Sequence, residues 1–308
     1  MMDKFNNHPL YRQHNIDSAM SSLWDFYRTR FLKLFIISLA MSLIIQYASS
    51  FIDIQELSSV TDPSAMLEKI KGLIVPILIV FVINLFFNLV LQYYVIYNPI
   101  DNSNNILVSL SRSLRYFIPY LVTMVFLAFA ALVAIVLGVV LLVVGVIFAA
   151  LYIMTLYMFV LPVMLTEGPD IGNTIKRTVV LAHRNFWSNI GWVAVFIIIL
   201  IVLSVILSGI ILLPFTGSFL KTITNPGDAQ GVANMSANPL FIILSAMAGA
   251  LTMPLLPVFS CILYFNGKAR EEVPIMLDSL DNDDRPVKVE DLYAKPYADD
   301  DREDAKNE

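Results

Sequence analysis

"FIPYLVTMVFLAFAALVAIVLGVVLLVVGVIFAALYIMTLYMFVLPVML", Phe117 to Leu165, contains no Asp, Glu, Lys, Arg or His. Wound as a single α-helix it would be roughly 74 Å long at ~1.5 Å per residue, whereas the hydrocarbon core of a bilayer is ~30 Å thick. The run must therefore turn back on itself. Gly138 and Gly145, in "LGVVLLVVGV", are its only glycines, so the expectation is a helical hairpin of Phe117–Leu137 and Val143–Leu165 bent between them.

The rest of the chain agrees with lipid as the main solvent. It is 57% hydrophobic and 15% charged, with a mean hydropathy of +0.72; a soluble domain has ~45–50% and ~25%. Four more segments are long and apolar enough to span: Leu32–Ile52, Leu73–Tyr97, Trp187–Leu213 and Pro239–Phe265. None shows the period-2 alternation of a barrel strand. The expected fold class is all-α, a polytopic bundle of six transmembrane helices.

Lysine and arginine positions orient the bundle. Lys4, Arg12, Arg28, Arg30, Lys33, Arg112, Arg115, Lys176, Arg177, Arg184, Lys268 and Arg270 fall on one side, against Lys69, Lys71 and Lys221 on the other. Both termini are thus expected in the cytoplasm of a cell whose inner (plasma) membrane holds the protein. Residues 1–31 read as a cytoplasmic N-terminus with no signal peptide, 32–265 as the membrane domain, and 266–308 as an acidic, disordered tail. The outer loop Pro214–Asn238 reads as a flexible turn.

Before each odd-numbered span lies a stretch with helical apolar spacing. The stripes are Ile16, Met20, Leu23, Trp24, Tyr27 and Phe31; then Ile106, Leu110, Leu114 and Phe117; then Ile171, Ile175, Val179, Ala182 and Phe186. Amphipathic helices lying at the headgroup level are expected there, used as an internal repeat. Their cations Arg28, Arg30, Lys33, Arg112, Arg115, Lys176, Arg177 and Arg184 are the expected contacts to lipid headgroups.

This layout, carried by "AMSSLWDFYRTRFLKLFI", "LPVMLTEG" followed by "IGNTIKRTVVLAHRNFWSNIGW", and "PLLPVFSCILYFNGKAREE", resembles a group of uncharacterised bacterial six-span proteins. That group is related to the membrane domain of glycerophosphodiester phosphodiesterases. The resemblance implies a similar six-span architecture; it carries no catalytic residue over, because no segment outside the spans is long enough for the phosphodiesterase barrel.

Chemistry is sparse. His8, His14 and His183 have no Cys, Asp or Glu at metal-ligand spacing, and no H-E-x-x-H, G-x-S-x-G or P-loop is present. His8 and His14 are expected to be exposed, and His183 to sit on the third amphipathic helix. Cys261 reads as a buried small hydrophobe. No ionisable residue lies deep in a span, which argues against proton-coupled transport. No catalytic, cofactor or metal residues, no cofactor and no nucleic-acid partner are expected.

The remaining polarity is neutral. Ser38, Ser42 and Gln46 of the first span and Asn84, Asn88 and Gln92 of the second form stripes at i, i+4 and i+8. Two readings follow: the stripes zip these spans together, or they line a polar crevice between them for a lipid headgroup or small solute. Pro76, Pro162, Pro254 and Pro257 read as elements of helix shape. The functional expectation is a non-catalytic scaffold or accessory factor for lipid or envelope processes, with membrane lipids and other membrane proteins as partners. The alternative is a passive transporter or lipid-binding carrier.

Overall fold

The computed structural model describes residues 5–52, 63–101, 103–217 and 238–281. Among them every regular element is helical: α1 Ile16–Thr29, α2 Phe31–Ser49, α3 Pro63–Tyr97, α4 Ile106–Val140, α5 Leu142–Glu167, α6 Ile171–Arg184, α7 Phe186–Leu212 with a 3₁₀ turn at Leu213–Phe215, α8 Pro239–Thr252 and α9 Leu255–Asp281. Six apolar stretches are long enough to cross a membrane, the sixth being Pro239–Glu271. The chain is an all-α, multi-pass integral membrane protein.

Local chemistry sets where helices begin. Asn15 accepts from the Ser18 amide (2.7 Å) while the Ser18 hydroxyl accepts from the Asn15 amide (2.9 Å), a reciprocal cap on α1. Asn105 caps α4 through Val108, Asp170 caps α6 through Asn173, and Asn238 with Pro239 opens α8.

The hairpin forms, but not at a glycine. The chain reverses at Leu141–Leu142, where Leu142 takes a left-handed φ of 60°. Gly138 and Gly145 are needed for closeness instead. A Cβ on Gly138 would lie 2.7 Å from the Gly145 carbonyl oxygen, and one on Gly145 would meet the Gly138 carbonyl. Small residues let α4 and α5 approach backbone to backbone just below the turn.

Two of the three expected amphipathic helices are separate elements, α1 and α6. The second is not: Ile106 to Phe117 is the first third of α4, a continuous helix of 35 residues. Nothing between the two parts can stop a helix, since Pro119 lies in a stretch that stays helical. The buried side of this extension is Ser109 and Ser113, while Leu107 and Leu114 point outward.

Burial is uneven along the spans. At the end holding Arg30, Arg112, Arg177 and Lys268, here the basic end, Leu89–Ile96, Met158–Leu165 and Val258–Phe265 are buried almost without interruption. Toward the other end α3, α4, α5 and α7 expose Ile, Leu, Val and Phe along their length. Such surface is at home only in hydrocarbon.

The N-terminal segment corrects the expectation of a loose, exposed start. Residues Phe5 to Asn15 pack into the basic end, with Leu10, His8 and His14 each at most 3% exposed. The Phe5 ring meets Tyr97 and Phe265, and Tyr11 also packs on Phe265. The His14 amide donates to Asn266 Oδ1 at 2.9 Å. The helical reading also continues past the expected boundary at 266. Asn266 and Lys268 are buried in the packed unit, which ends at Ala269, and α9 runs to Asp281. The rest of the expected tail, and most of the loop Pro214–Asn238, fall outside the described residues.

Candidate functional site

The sixth apolar stretch is broken where Pro254 follows Met253. Proline has no N–H to give the preceding turn, so carbonyls there lose their helical donors. Another helix supplies a replacement: the Tyr27 hydroxyl of α1 donates to the Leu251 carbonyl (3.0 Å). Just past the break, Gln92 Nε2 of α3 donates to the Pro257 carbonyl (3.1 Å) and lies 3.0 Å from Cys261 Sγ. Pro76, Pro119 and Pro162 sit in unbroken helices, so among the described residues the break falls at Pro254.

Beside this break is a cavity of about 660 Å³. Its walls are Ile77, Val80, Phe81, Asn84, Leu85 and Asn88 of α3, Tyr157 of α5, Leu200 and Ser204 of α7, Thr252, Met253 and Leu256 at the break, and Ile52. That volume lies inside the ~300–1,000 Å³ typical of ligand sites. Tyr157 is enclosed by protein yet keeps accessible surface, because that surface looks into the cavity. Asn88 Nδ2 donates to Tyr157 Oη at 2.8 Å, and the fully buried Tyr120 hydroxyl lies near both without a hydrogen bond of standard length. Thr252 is satisfied within its own helix by Ala248 and Gly249. Asn84 and Ser204, both exposed toward the cavity, make no hydrogen bond among the described residues.

The six residues expected to line one crevice are thus divided. Asn84 and Asn88 face the cavity, with α5 and α7 opposite them rather than α2. Gln92 is spent on α9. Ser38 is fully buried without a partner, Gln46 is half-buried, and Ser42 lies against Gly249 of α8. No hydrogen bond joins the two stripes among the described residues. The expected walls of that crevice are therefore corrected: among the described residues the cavity is lined by spans two, four, five and six together with Ile52, which follows α2, and not by the Ser38, Ser42 and Gln46 stripe.

Of the cations expected to meet headgroups, Arg28, Lys33, Arg112, Arg115, Lys176 and Arg184 are exposed. Arg30 lies over the Phe26 ring at 4.4 Å, and Arg112 also donates to Asn104 Oδ1. Arg177 has a protein partner: its Nε meets Glu167 Oε2 at 3.0 Å. Glu167 Oε1 takes Lys268 Nζ at 2.8 Å and the Tyr264 hydroxyl at 3.2 Å, and Tyr264 in turn accepts from Thr166 at 2.6 Å. This network ties the C-terminal end of α5 to the middles of α6 and α9. Its one visible signal was that Glu167 is the first charge after the long uncharged run.

The three histidines do not form a metal site; among the described residues no group of three or more His, Cys, Asp or Glu could hold an ion. His8 accepts from the Leu10 amide at Nδ1 (3.1 Å) and its Nε2 faces the Val95 carbonyl (3.2 Å), which selects the neutral Nε2–H tautomer. Burial pushes its pKa down to about 4, with the Val95 bond opposing and the Arg30 charge assisting. His183 sits on α6, 3.4 Å from the Tyr152 hydroxyl. No family model, curated protein or solved structure matches the chain. The site therefore stands on its own geometry: a mostly apolar cavity, with no charged side chain among the described residues that line it, beside a broken membrane helix.

Proposed function

We propose that this is a non-catalytic lipid-binding protein of a bacterial inner membrane, its cavity holding a molecule drawn from the bilayer. The observation that carries the reading is the cavity itself, with two unsatisfied polar side chains near the middle of membrane spans. An amide or hydroxyl facing hydrocarbon without a partner is costly, so such groups belong where something completes them. Discontinuous membrane helices commonly form binding sites at this depth. The absence of any acid–base or nucleophilic grouping around the cavity favours binding over chemistry.

The excess of basic residues on one side supports cytoplasmic termini, and the exposed Arg28, Lys33, Arg115 and Lys176 would then rest against anionic headgroups. Within this reading the six-span bacterial group resembled above supplies the relatives by layout. The scaffold function stays secondary, because a close-packed dry interior would have suited it better.

The test is to purify the full chain in native lipid discs and compare its lipids with bulk membrane by mass spectrometry. A Leu200→Trp variant, which sets an indole into the cavity wall and takes up part of its volume, serves as the comparison. The expected result is one lipid species enriched in the wild type and lost from the variant. Matching lipid profiles for the two proteins would dismiss the cavity as a binding site.

A further inference from the structure

We infer that the occupant is an uncharged lipid, one whose hydroxyl or ester carbonyl lies between Asn84 and Ser204. This rests on the cavity reading above and names the ligand class. The two side chains face the cavity from different helices, α3 and α7, and neither has a hydrogen-bond partner among the described residues. An Asn amide can both donate and accept, and a Ser hydroxyl likewise, so together they match a hydroxyl or carbonyl.

Charge decides the class. Among the described residues no Lys, Arg, His, Asp or Glu lines the cavity. A phosphate headgroup brought there would lose its hydration with no cation to receive it, a penalty far larger than two neutral hydrogen bonds can offset. Most of the described cations belong to the basic end, where Arg177 and Lys268 are paired with Glu167. Water alone is a poor filling, because ordered water needs two to four polar partners each and most of the wall is Ile, Val, Leu, Phe and Met. A lipid chain suits that wall. Its route in is lateral, since Ile77 and Phe81 at the edge of the cavity are about half exposed on the lipid-facing side of α3.

The experiment titrates the full chain in neutral detergent with 1-oleoylglycerol and, separately, with oleoyl lysophosphatidylglycerol, which has the same chain and an anionic head, using native mass spectrometry. Wild type, Asn84→Leu and Ser204→Ala are compared, each checked for wild-type thermal unfolding. Neither residue makes a hydrogen bond whose loss would unfold the protein. The inference expects the glyceride to bind at least tenfold more tightly than its anionic analogue. Each variant should weaken glyceride binding about three- to tenfold and leave anionic binding unchanged. Equal or tighter binding of the anionic lipid overturns the uncharged class but leaves the cavity reading in place. Glyceride binding unaffected by either substitution, or no saturable binding of either probe, also overturns it. If, in addition, Leu200→Trp leaves the co-purifying lipids unchanged, the broader reading fails too.

Discussion

Glu167 and Lys268, a hundred residues apart, meet at 2.8 Å with only 16% and 9% of their side chains exposed, and Arg177 closes the same carboxylate from a third helix. One carboxylate is thus shared by two cations where α5, α6 and α9 meet, leaving the trio with one net positive charge. Removing the shared partner is more damaging than removing the set, because lone charges are left in a poorly solvated position.

Glu167→Gln is accordingly expected to lower stability by about 3 kcal/mol. The double variant Glu167→Gln with Lys268→Met should recover part of that loss, since Arg177 at 24% exposure can still reach solvent. Thermal unfolding in detergent checks this; a double variant no better than the single would show that the charges are not coupled.

His8 makes the docking of the N-terminal segment depend on pH. Its folded pKa, about 4, lies below the ordinary 6.5. The unfolded segment therefore binds more protons between those values, and stability falls as pH drops from 6.5 toward 4. His14, lowered chiefly by burial, acts in the same direction. At pH 5 the His8 contribution amounts to a loss on the order of 2 kcal/mol relative to pH 7. Unfolding measured at pH 7 and pH 5 should show the loss in wild type and a smaller one in His8→Asn. An equal loss in both would place the sensitivity elsewhere.

The α4–α5 hairpin gives a test of opposite terms. Gly138→Ala adds helix propensity worth up to ~1 kcal/mol. It also sets a methyl 2.7 Å from the Gly145 carbonyl oxygen and 2.9 Å from its carbon, both backbone atoms that cannot rotate away. Separating the helices costs about 1–3 kcal/mol, so net destabilisation of about 1 kcal/mol is expected. A variant more stable than wild type would mean the close approach is not required.

Tyr27 acts across 224 residues on the Leu251 carbonyl beside the break in the sixth span. Tyr27→Phe keeps the ring packing and removes only the donor. A loss of about 1 kcal/mol is expected, together with faster hydrogen exchange around 250–256. Unchanged exchange there would show that the break holds itself.

Much of the architecture was readable because membrane insertion is a property of segments. An uncharged run of 49 residues exceeds any single crossing, and the spans then follow from length and hydropathy alone. The starts of α1, α4, α6 and α8 are equally local, each carried by one Asn or Asp and the amide two or three residues on. The stripe at Asn84, Asn88 and Gln92 was visible too, as polar groups that lipid cannot satisfy. Its partners were not, because period along one helix says which residues share a face and nothing about which helix that face meets.

The sequence by itself determined that this protein lives in a bilayer, that it has six stretches able to cross it and which of their ends are basic, since each depends on transfer from water to lipid residue by residue. Only the tertiary structure decided that Ser42 of α2 lies against Gly249 of α8, that Phe5–Asn15 is packed rather than loose, and that Asn84 and Ser204 face one cavity. Those outcomes depend on close packing between residues up to 250 positions apart in the chain, such as His14 and Asn266. In lipid that choice is made by shape and hydrogen bonding, because the surrounding tails are as apolar as the helices themselves.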